Sequence, residues 1–364
     1  MTKYELGNIL IYEQPTKYIV KSENYDDSFP VPVLTPGQTF ILGYTAETEG
    51  VYSAPLPVII FDDFTTATKL VNFPFKVKSS AMKILKPANE NVFLPYWYYF
   101  LSSLKVDNGL HKRYWISTFA NRQVHCPSFQ EQKRIAERLD KVQELIAKQK
   151  EQIAKLDLLI KSRFLDMFGD PISNPKKWVM KKLKECARTN LSYGSGAKAV
   201  NYNGTVRYIR ITDIDNQGLL NKEKKSPSIF EEKYLLHQGD LLFARTGATV
   251  GKTFLYDKKY GMSVYAGYLI RFVPKIDLCH PLFVFYFTHT DYYKQFVLDK
   301  QKAVAQPNIN AQEYGELLIP LPPLSLQTQF TNFVKSVEQQ KEVFSTRLSH
   351  FETLYKSLMQ EYFG

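Results

Sequence analysis

Pro127-Ser128-Phe129-Gln130-Glu131-Gln132 opens a long run with apolar residues every three or four positions, which closes at Ser162-Arg163-Phe164-Leu165-Asp166-Met167-Phe168-Gly169. About 195 residues further on, Pro323-Leu324-Ser325-Leu326-Gln327-Thr328-Gln329 opens a second such run, closing at Ser357-Leu358-Met359-Gln360-Glu361-Tyr362-Phe363-Gly364. Each run follows a stretch of globular character and similar size. A fixed long-period repeat governs the whole architecture, so it is read before any local feature. It predicts an α+β fold: two globular domains of mixed strands and short helices, residues 1–128 and 170–323, separated by two long coiled-coil helices, 129–169 and 324–364.

The first seam runs Ile135, Leu139, Val142, Ile146, Gln149, Ile153, Leu156, Ile160, Arg163, in steps of four and three without a slip. The second is read as Phe330, Phe333, Val337, Gln340, Phe344, Arg347, Phe351, Leu354, Leu358. Apolar a and d positions sustained this long are the mark of a coiled coil. The simplest partner for either helix is the other helix of the same chain. A helix lying on a domain surface carries a wider apolar stripe and is usually shorter. Proline marks the start of each helix and glycine its end, as helix boundaries favour.

The 364 residues are 44% hydrophobic and 14% aromatic, enough for two ordinary domains with real cores. No charged leader followed by an apolar run is present, and no stretch approaches the roughly 20 apolar residues of a membrane span. Three scattered cysteines, Cys126, Cys186 and Cys279, fit a reducing cytoplasm. The net charge of +11 is concentrated: residues 170–323 hold 22 Lys+Arg against 14 Asp+Glu, residues 1–128 only 12 against 11. A basic second globule points to nucleic acid or an acidic surface; no basic amphipathic helix or lipidation motif favours a membrane.

The globules read as divergent copies. Pro57-Val58-Ile59-Ile60-Phe61-Asp62-Asp63 corresponds to Gly239-Asp240-Leu241-Leu242-Phe243-Ala244-Arg245. Ala81-Met82-Lys83-Ile84-Leu85 corresponds to Gly267-Tyr268-Leu269-Ile270-Arg271, and Leu94-Pro95-Tyr96-Trp97 to His280-Pro281-Leu282-Phe283. The loops between matched strands differ most. A shared scaffold with different loops implies one task performed on two targets.

Catalytic signatures are sparse. There is no G-x-x-x-x-G-K-[ST] phosphate loop, no H-E-x-x-H and no C-x-x-C. Gly194-Ser195-Gly196 lacks the strand–turn–helix context of a dinucleotide site and reads as a flexible loop. Asn174-Pro175-Lys176-Lys177 lacks the Pro and aromatic of an amino-methyltransferase motif and reads as a turn. Glu223-Lys224-Lys225 and Glu231-Glu232-Lys233, with Asp213 and Asp215, resemble a metal-dependent nuclease set, a pattern common by chance in a lysine-rich chain.

Signals for nucleic-acid binding recur at loop tips. Arg245-Thr246-Gly247-Ala248-Thr249-Val250-Gly251-Lys252 combines glycines, hydroxyls and terminal cations. Arginine can donate two hydrogen bonds to guanine O6 and N7; Thr246, Thr249, Lys252 and the Gly247 backbone suit phosphates. Gln306-Pro307-Asn308 offers Gln306 and Asn308 amides of the kind that read adenine. In the first globule the candidates are Lys76, Lys78, Ser79 and Ser80, the turn hydroxyls Thr65 and Thr66, and the run His111, Lys112, Arg113, Tyr114. Lys198 and Arg210 complete the set in the second.

With these residues assembled, the chain resembles the DNA-specificity subunit of bacterial type I restriction–modification systems. The resemblance spans essentially the whole length. It is carried by Gln132-Lys133-Arg134-Ile135-Ala136-Glu137-Arg138-Leu139, Phe164-Leu165-Asp166-Met167-Phe168-Gly169-Asp170-Pro171, Arg245-Thr246-Gly247-Ala248-Thr249-Val250-Gly251-Lys252, Gln306-Pro307-Asn308-Ile309 and Ile319-Pro320-Leu321-Pro322-Pro323-Leu324. It implies two target-recognition domains held apart by two antiparallel helices, each domain reading one half of a bipartite site in double-stranded DNA. It implies two methyltransferase subunits docked on the helices and two restriction subunits, in the cytoplasm. S-adenosylmethionine, ATP and Mg would sit on those partners, and no cofactor on this chain. At Phe330-Thr331-Asn332-Phe333 the second coil departs from the first, which has Arg134-Ile135-Ala136 there. The competing readings are a DNA-acting nuclease or methyltransferase, and a protein-only coiled-coil scaffold.

Overall fold

The computed structural model describes residues 3–35, 39–104, 113–302 and 307–364. Two compact units emerge, and the first is not contiguous in sequence: Met1–Lys150 with Thr346–Gly364, and Glu151–Ser345. The strands of the first unit are β1 (Lys3–Glu5), β2 (Leu10–Glu13), β3 (Val31–Leu34), β4 (Ile41–Thr45), β5 (Val58–Asp62), β6 (Thr68–Val71), β7 (Lys76–Val77), β8 (Met82–Pro87) and β9 (Gln123–His125). Those of the second are β10 (Val179–Lys182), β11 (Ser192–Tyr193), β12 (Ala199–Asn201), β13 (Arg207–Ile209), β14 (Lys225–Pro227), β15 (Leu241–Ala244), β16 (Thr253–Leu255), β17 (Ser263–Tyr265), β18 (Leu269–Phe272) and β19 (Leu318–Leu321).

The same sheet is built twice. An antiparallel four-stranded sheet has the order β2-β8-β5-β6 in one unit and β11-β18-β15-β16 in the other. Each unit also pairs its first strand with its last, β1 with β9 and β10 with β19, and contains one parallel pair, β3 with β7 and β13 with β17. Val58–Asp62 and Leu241–Ala244 are buried throughout, the pattern of a strand covered on both faces. Phe61 packs on Trp115 and Phe119 at 5.3 and 4.9 Å, and Phe243 on Tyr314 at 4.9 Å. The register equates Ile59 with Leu241 and Leu85 with Phe272. The first equivalence is the one read from sequence. The second lies one residue beyond the sequence match, because Met82–Leu85 and Leu269–Ile270 are buried in succession, without the alternation that fixes register.

Helix α1 (Leu6–Ile9) joins β1 to β2, and α2 (Leu94–Ser103) packs on the first sheet. Helix α3 (Phe129–Phe168) is the first long helix. In the second unit α4 (Pro281–Phe287) takes the place of α2, followed by α5 (Asp291–Lys302) and α6 (Ala311–Gly315). Helix α7 (Leu324–Phe363) is the second long helix. Each long helix gives one half to each unit, and within both units the halves run antiparallel. In the first, Arg138 donates to Tyr362 at 2.8 Å while Lys150 meets Glu352 at 3.3 Å. In the second, Lys341 meets Asp157 at 2.6 Å and Phe164 meets Phe330 at 5.5 Å.

A buried glutamine locks the start of each long helix to its own globule. Gln132 Oε1 accepts from the Phe93 N–H and Trp97 Nε1 at 2.9 and 3.0 Å; its Nε2 donates to the carbonyls of Asn91 and Pro127 at 3.1 and 2.9 Å. Gln327 Oε1 accepts from the His280 N–H at 2.8 Å; its Nε2 donates to the carbonyls of Leu278 and Pro322 at 3.1 and 2.9 Å. Both side chains are fully buried. Phe93 and His280 are the N-cap residues of α2 and α4, so one glutamine ties two helix starts together.

Superposing these glutamines carries the first seam onto the second helix 195 residues on. The buried and half-buried stripe there is Phe330, Val334, Val337, Lys341, Phe344, Leu348, Phe351, Tyr355, Leu358. Of the positions expected in the alternate slots, Phe333 is half-buried under the Arg163 guanidinium, and Gln340, Arg347 and Leu354 are exposed. Hydrophobicity alone favours Phe333 and Leu354 over Val334 and Tyr355, and here it misleads. In the first helix Ile135, Leu139, Val142 and Ile146 are buried, Ile153 and Leu156 half-buried and Ile160 buried; Phe164 replaces exposed Arg163 at the end.

Candidate nucleic-acid interface

One end of each four-stranded sheet gathers three chain segments through the same backbone bonds. In the second unit the Arg245 N–H donates to the Tyr268 carbonyl at 3.1 Å, and the Ile309 N–H to the Arg245 carbonyl at 2.8 Å. In the first, the Asp63 N–H donates to the Ala81 carbonyl at 3.1 Å, and the Tyr114 N–H to the Asp63 carbonyl at 2.9 Å. Asp63 is thus equivalent to Arg245, Ala81 to Tyr268 and Tyr114 to Ile309. The loop after β5 or β15, the residues leading into β8 or β18, and a third segment ending at Arg113 or Asn308 form one frame, built twice with different side chains.

In the second unit the frame gathers half-buried Arg245, Thr246 and Thr249 with exposed Tyr193, Tyr268 and Asn308. Arg245 leaves β15 into a tight turn in which the Gly247 N–H donates to the Pro307 carbonyl at 3.1 Å. Gly247 has φ +65° with open space around its α-carbon, and Thr246 and Thr249 are placed beside it. The Arg245 guanidinium carbon lies 4.8 Å from the Tyr193 ring centroid, and its Nε donates to Asn308 Oδ1 at 3.2 Å. Tyr193 and Tyr268 are 42% and 60% exposed, although neither stands out in the sequence. The signal available is adjacency to Gly194-Ser195-Gly196, which reads as a flexible loop. Instead Ser195 is buried and bridges Ala266, and a Cβ on Gly194 would sit 2.3 Å from the Ala266 carbonyl oxygen. That glycine permits close backbone packing. Lys198 is exposed three residues on from Ser195.

Several expected contacts are engaged elsewhere. Lys252 is half-buried and donates to the Ile214 carbonyl at 3.2 Å. Arg210 forks onto Asp213 at 2.6 and 3.1 Å and lies 3.8 Å from Glu223; the hydrogen bond to Asp213 raises its already high pKa. That pairing also absorbs the nuclease-like set: Asp213 is buried, Glu223 meets Lys225 at 3.3 Å, and Asp215 accepts from the Gln217 and Leu219 N–H groups of a turn. Among the described residues no group of three or more His, Cys, Asp or Glu is placed to hold a metal ion.

In the first unit Lys76 is 1% exposed, donating to the Glu49 carbonyl at 2.6 Å and meeting Glu47 at 3.0 Å. It is a structural tie, as a cation removed from water must be. Tyr114 is likewise buried. Asp63 is buried against Lys83 at 3.2 Å, and its Oδ1 accepts from the Trp115 N–H. The solvent-facing candidates are Arg113, Ser80 and Thr65; Lys78 and Ser79 are half-buried, Lys78 paired with Glu23 at 2.5 Å. Thr65 is exposed in the turn and donates to Asp62, whereas Thr66 is half-buried at φ +61°. His111, Lys112 and Gln306 lie outside the described residues.

A family model for the type I restriction modification DNA specificity domain matches residues 1–157 and 175–349, one match on each copy of the repeat. The chain belongs to that family. It is 38% identical over 269 residues, 70% of its length, to the Escherichia coli EcoR124I/EcoR124II specificity subunit, covering 64% of that protein. It is 24% identical over 266 residues, 66% of its length, to the MjaVIII specificity subunit of Methanocaldococcus jannaschii, covering 61%. The chain thus spans under two thirds of the length of these curated relatives. Among solved structures, the type I restriction–modification S subunit from M. genitalium aligns over 98% of this chain and 94% of its own, with TM-score 0.66 and 14% identity. A chain from a structural study of type I complex assembly and conformational transition aligns over 100% and 97%, with TM-score 0.57 and 17% identity. These two show the fold. Among the described residues no helix is long and apolar enough to cross a membrane.

Proposed function

We propose that this chain is the sequence-specific DNA-binding subunit of a cytoplasmic type I restriction–modification complex and performs no chemistry itself. Each unit reads one half of a bipartite duplex target, and the paired long helices set the spacer and dock methyltransferase subunits, with restriction subunits joining the complex. S-adenosylmethionine, ATP and Mg belong to those partners. The observation that carries the reading is the duplicated loop frame: equivalent backbone bonds hold Arg245, Tyr268 and Asn308 together in one copy and Asp63, Ala81 and Arg113 in the other, with Asp63 turned inward. One scaffold with two side-chain sets is what two different half-sites require. The +8 balance of residues 170–323 supports a polyanionic partner.

The test is selection from a pool of randomised duplexes by the chain co-expressed with its methyltransferase partner. The reading expects a bipartite motif with a fixed spacer, and binding that weakens steeply with salt. Absence of any enriched motif refutes it. Turnover of DNA by the purified chain alone, with Mg²⁺ or S-adenosylmethionine, would favour an enzyme.

A further inference from the structure

Resting on that reading, we propose that Arg245 reads one guanine in the half-site of the second unit, and that Tyr193 and Asn308 are positioning residues that aim its fork. The Arg245 backbone is fixed on both sides, through its N–H to Tyr268 and its carbonyl to Ile309. Tyr193 supports the guanidinium plane at 4.8 Å, and Asn308 engages Nε at 3.2 Å. Tyr193 is itself anchored, its hydroxyl accepting from the Ala311 N–H at 3.0 Å. Among the described residues the Nε bond to Asn308 is the guanidinium's one hydrogen bond, which leaves Nη1 and Nη2 as a planar pair of donors. A guanidinium stacked on an aromatic and held at Nε has lost most of its rotamer freedom before binding, so less is lost on contact.

An end-on pair of N–H donors matches guanine O6 and N7, the commonest specific arginine contact in the major groove. A phosphate could take the same fork, but the surroundings favour a base. The neighbouring exposed groups are the rings of Tyr193 and Tyr268 and the Asn308 amide, and the nearby cation Lys252 is turned inward. The device belongs to one unit only, because its equivalent position in the other is Asp63, buried on Lys83.

The experiment compares the motif enriched by the wild-type chain with those of Arg245→Lys, Tyr193→Ala, Tyr193→Phe and Asn308→Ala, each co-expressed with the methyltransferase partner. Arg245→Lys keeps the charge and loses the fork. It should lower the preference for guanine at one position of one half-site by on the order of 10-fold or more, leaving the other half-site unchanged. Tyr193→Ala and Asn308→Ala should relax the same position, and Tyr193→Phe, which keeps the ring, should restore it. A merely structural role would lower binding at all positions together and would not select one base pair. If the wild-type chain enriches a motif but Arg245→Lys weakens every sequence alike or changes nothing, the assignment to guanine is overturned while the DNA-reading function stands. If the wild-type chain enriches no motif, the functional reading itself fails. Thermal melts of each variant identify any that do not fold; Arg245→Lys, which keeps the charge at this half-buried position, then decides.

Discussion

The two buried glutamines predict an asymmetric cost that sequence similarity would not suggest. Gln327→Ala strands three groups in a fully buried place: the His280 N–H and the carbonyls of Leu278 and Pro322. Gln132→Ala strands four, because Trp97 Nε1 also depends on it. At the low end of about 1 kcal/mol per buried orphan, the losses are about 3 and about 4 kcal/mol. For a unit of this size that lowers the melting temperature by roughly 6–12 °C at Gln327 and somewhat more at Gln132. The two units need not melt together, so a single two-state fit is inappropriate. Tryptophan fluorescence separates them: Trp97 and Trp115 report on the first unit and Trp178 on the second. In a Trp178→Phe background the signal follows the first unit alone. Gln132→Ala should shift that transition, and Gln327→Ala should shift the Trp178 transition in the otherwise native chain. Methionine at either position, similar in volume but unable to bond, should behave like alanine. Melting within about 2 °C of the native chain for Gln327→Met, against the shift expected for a domain of this size, would refute the claim that these hydrogen bonds hold the helix starts.

Lys76→Met should lower thermal stability without changing the DNA salt slope, whereas Arg113→Ala should weaken DNA binding without moving the melt; the reverse pattern would restore Lys76 as a DNA contact. Burial pushes the Glu13 carboxyl up, but hydrogen bonds from Lys17, Lys86 and Tyr18 overcome it and hold the pKa at about 2, below the ordinary 4.5. Its stabilising contribution is therefore full above pH 4.5 and is lost as pH falls toward 2. The melting gap between the native chain and Glu13→Gln should be widest near neutrality and close across that window. A heptad inserted between Ile146 and Ile153, and another between Phe344 and Phe351, lengthens each helix by about 10.5 Å. The methylated motif should then gain roughly three base pairs of spacer at about 3.4 Å each with both half-sites intact; an unchanged spacer would show that these helices do not set it.

The repeat is legible in the sequence because both signals behind it are local. Heptad spacing and boundary residues mark the long helices, and the runs around Phe61 and Phe243 mark equivalent buried strands. Legibility stops where the physics is non-local. Successive buried residues, Met82–Leu85 in β8 and Leu269–Ile270 in β18, carry no alternation, so the sequence match of β8 to β18 falls one residue out of step. Hydrophobicity picks the wrong second seam, although the offset between Gln132 and Gln327 already fixes it. Lys76, Arg210 and Lys252 look like phosphate ligands because a lysine or arginine on a loop is normally solvated. Nothing local reveals that Glu47 or the Ile214 carbonyl will fold against Lys76 and Lys252; Asp213, three residues from Arg210, is the one partner that is near in sequence. Tyr193 escapes notice for the converse reason: its importance comes from Arg245 and Asn308, 52 and 115 residues away in sequence.

These contrasts separate the residues that build the frame from those displayed on it. The side chains that repeat in kind, Gln132 with Gln327 and Phe61 with Phe243, are buried and make equivalent contacts in both units. At the equivalent positions of the loop frame chemistry does not repeat. Asp63 and Arg245 share the same backbone bonds, yet one carboxylate is folded inward onto a lysine and the other position holds a half-buried guanidinium over the Tyr193 ring. The bonds common to both copies run between main-chain groups, so the same backbone shape accepts either residue, although in the first unit the Asp63 carboxylate also takes the Trp115 N–H. On the proposed function, reading specificity can therefore diverge between the copies while the scaffold stays common. A residue that supports the frame should cost stability when replaced, and one displayed on it should change which sequence is bound.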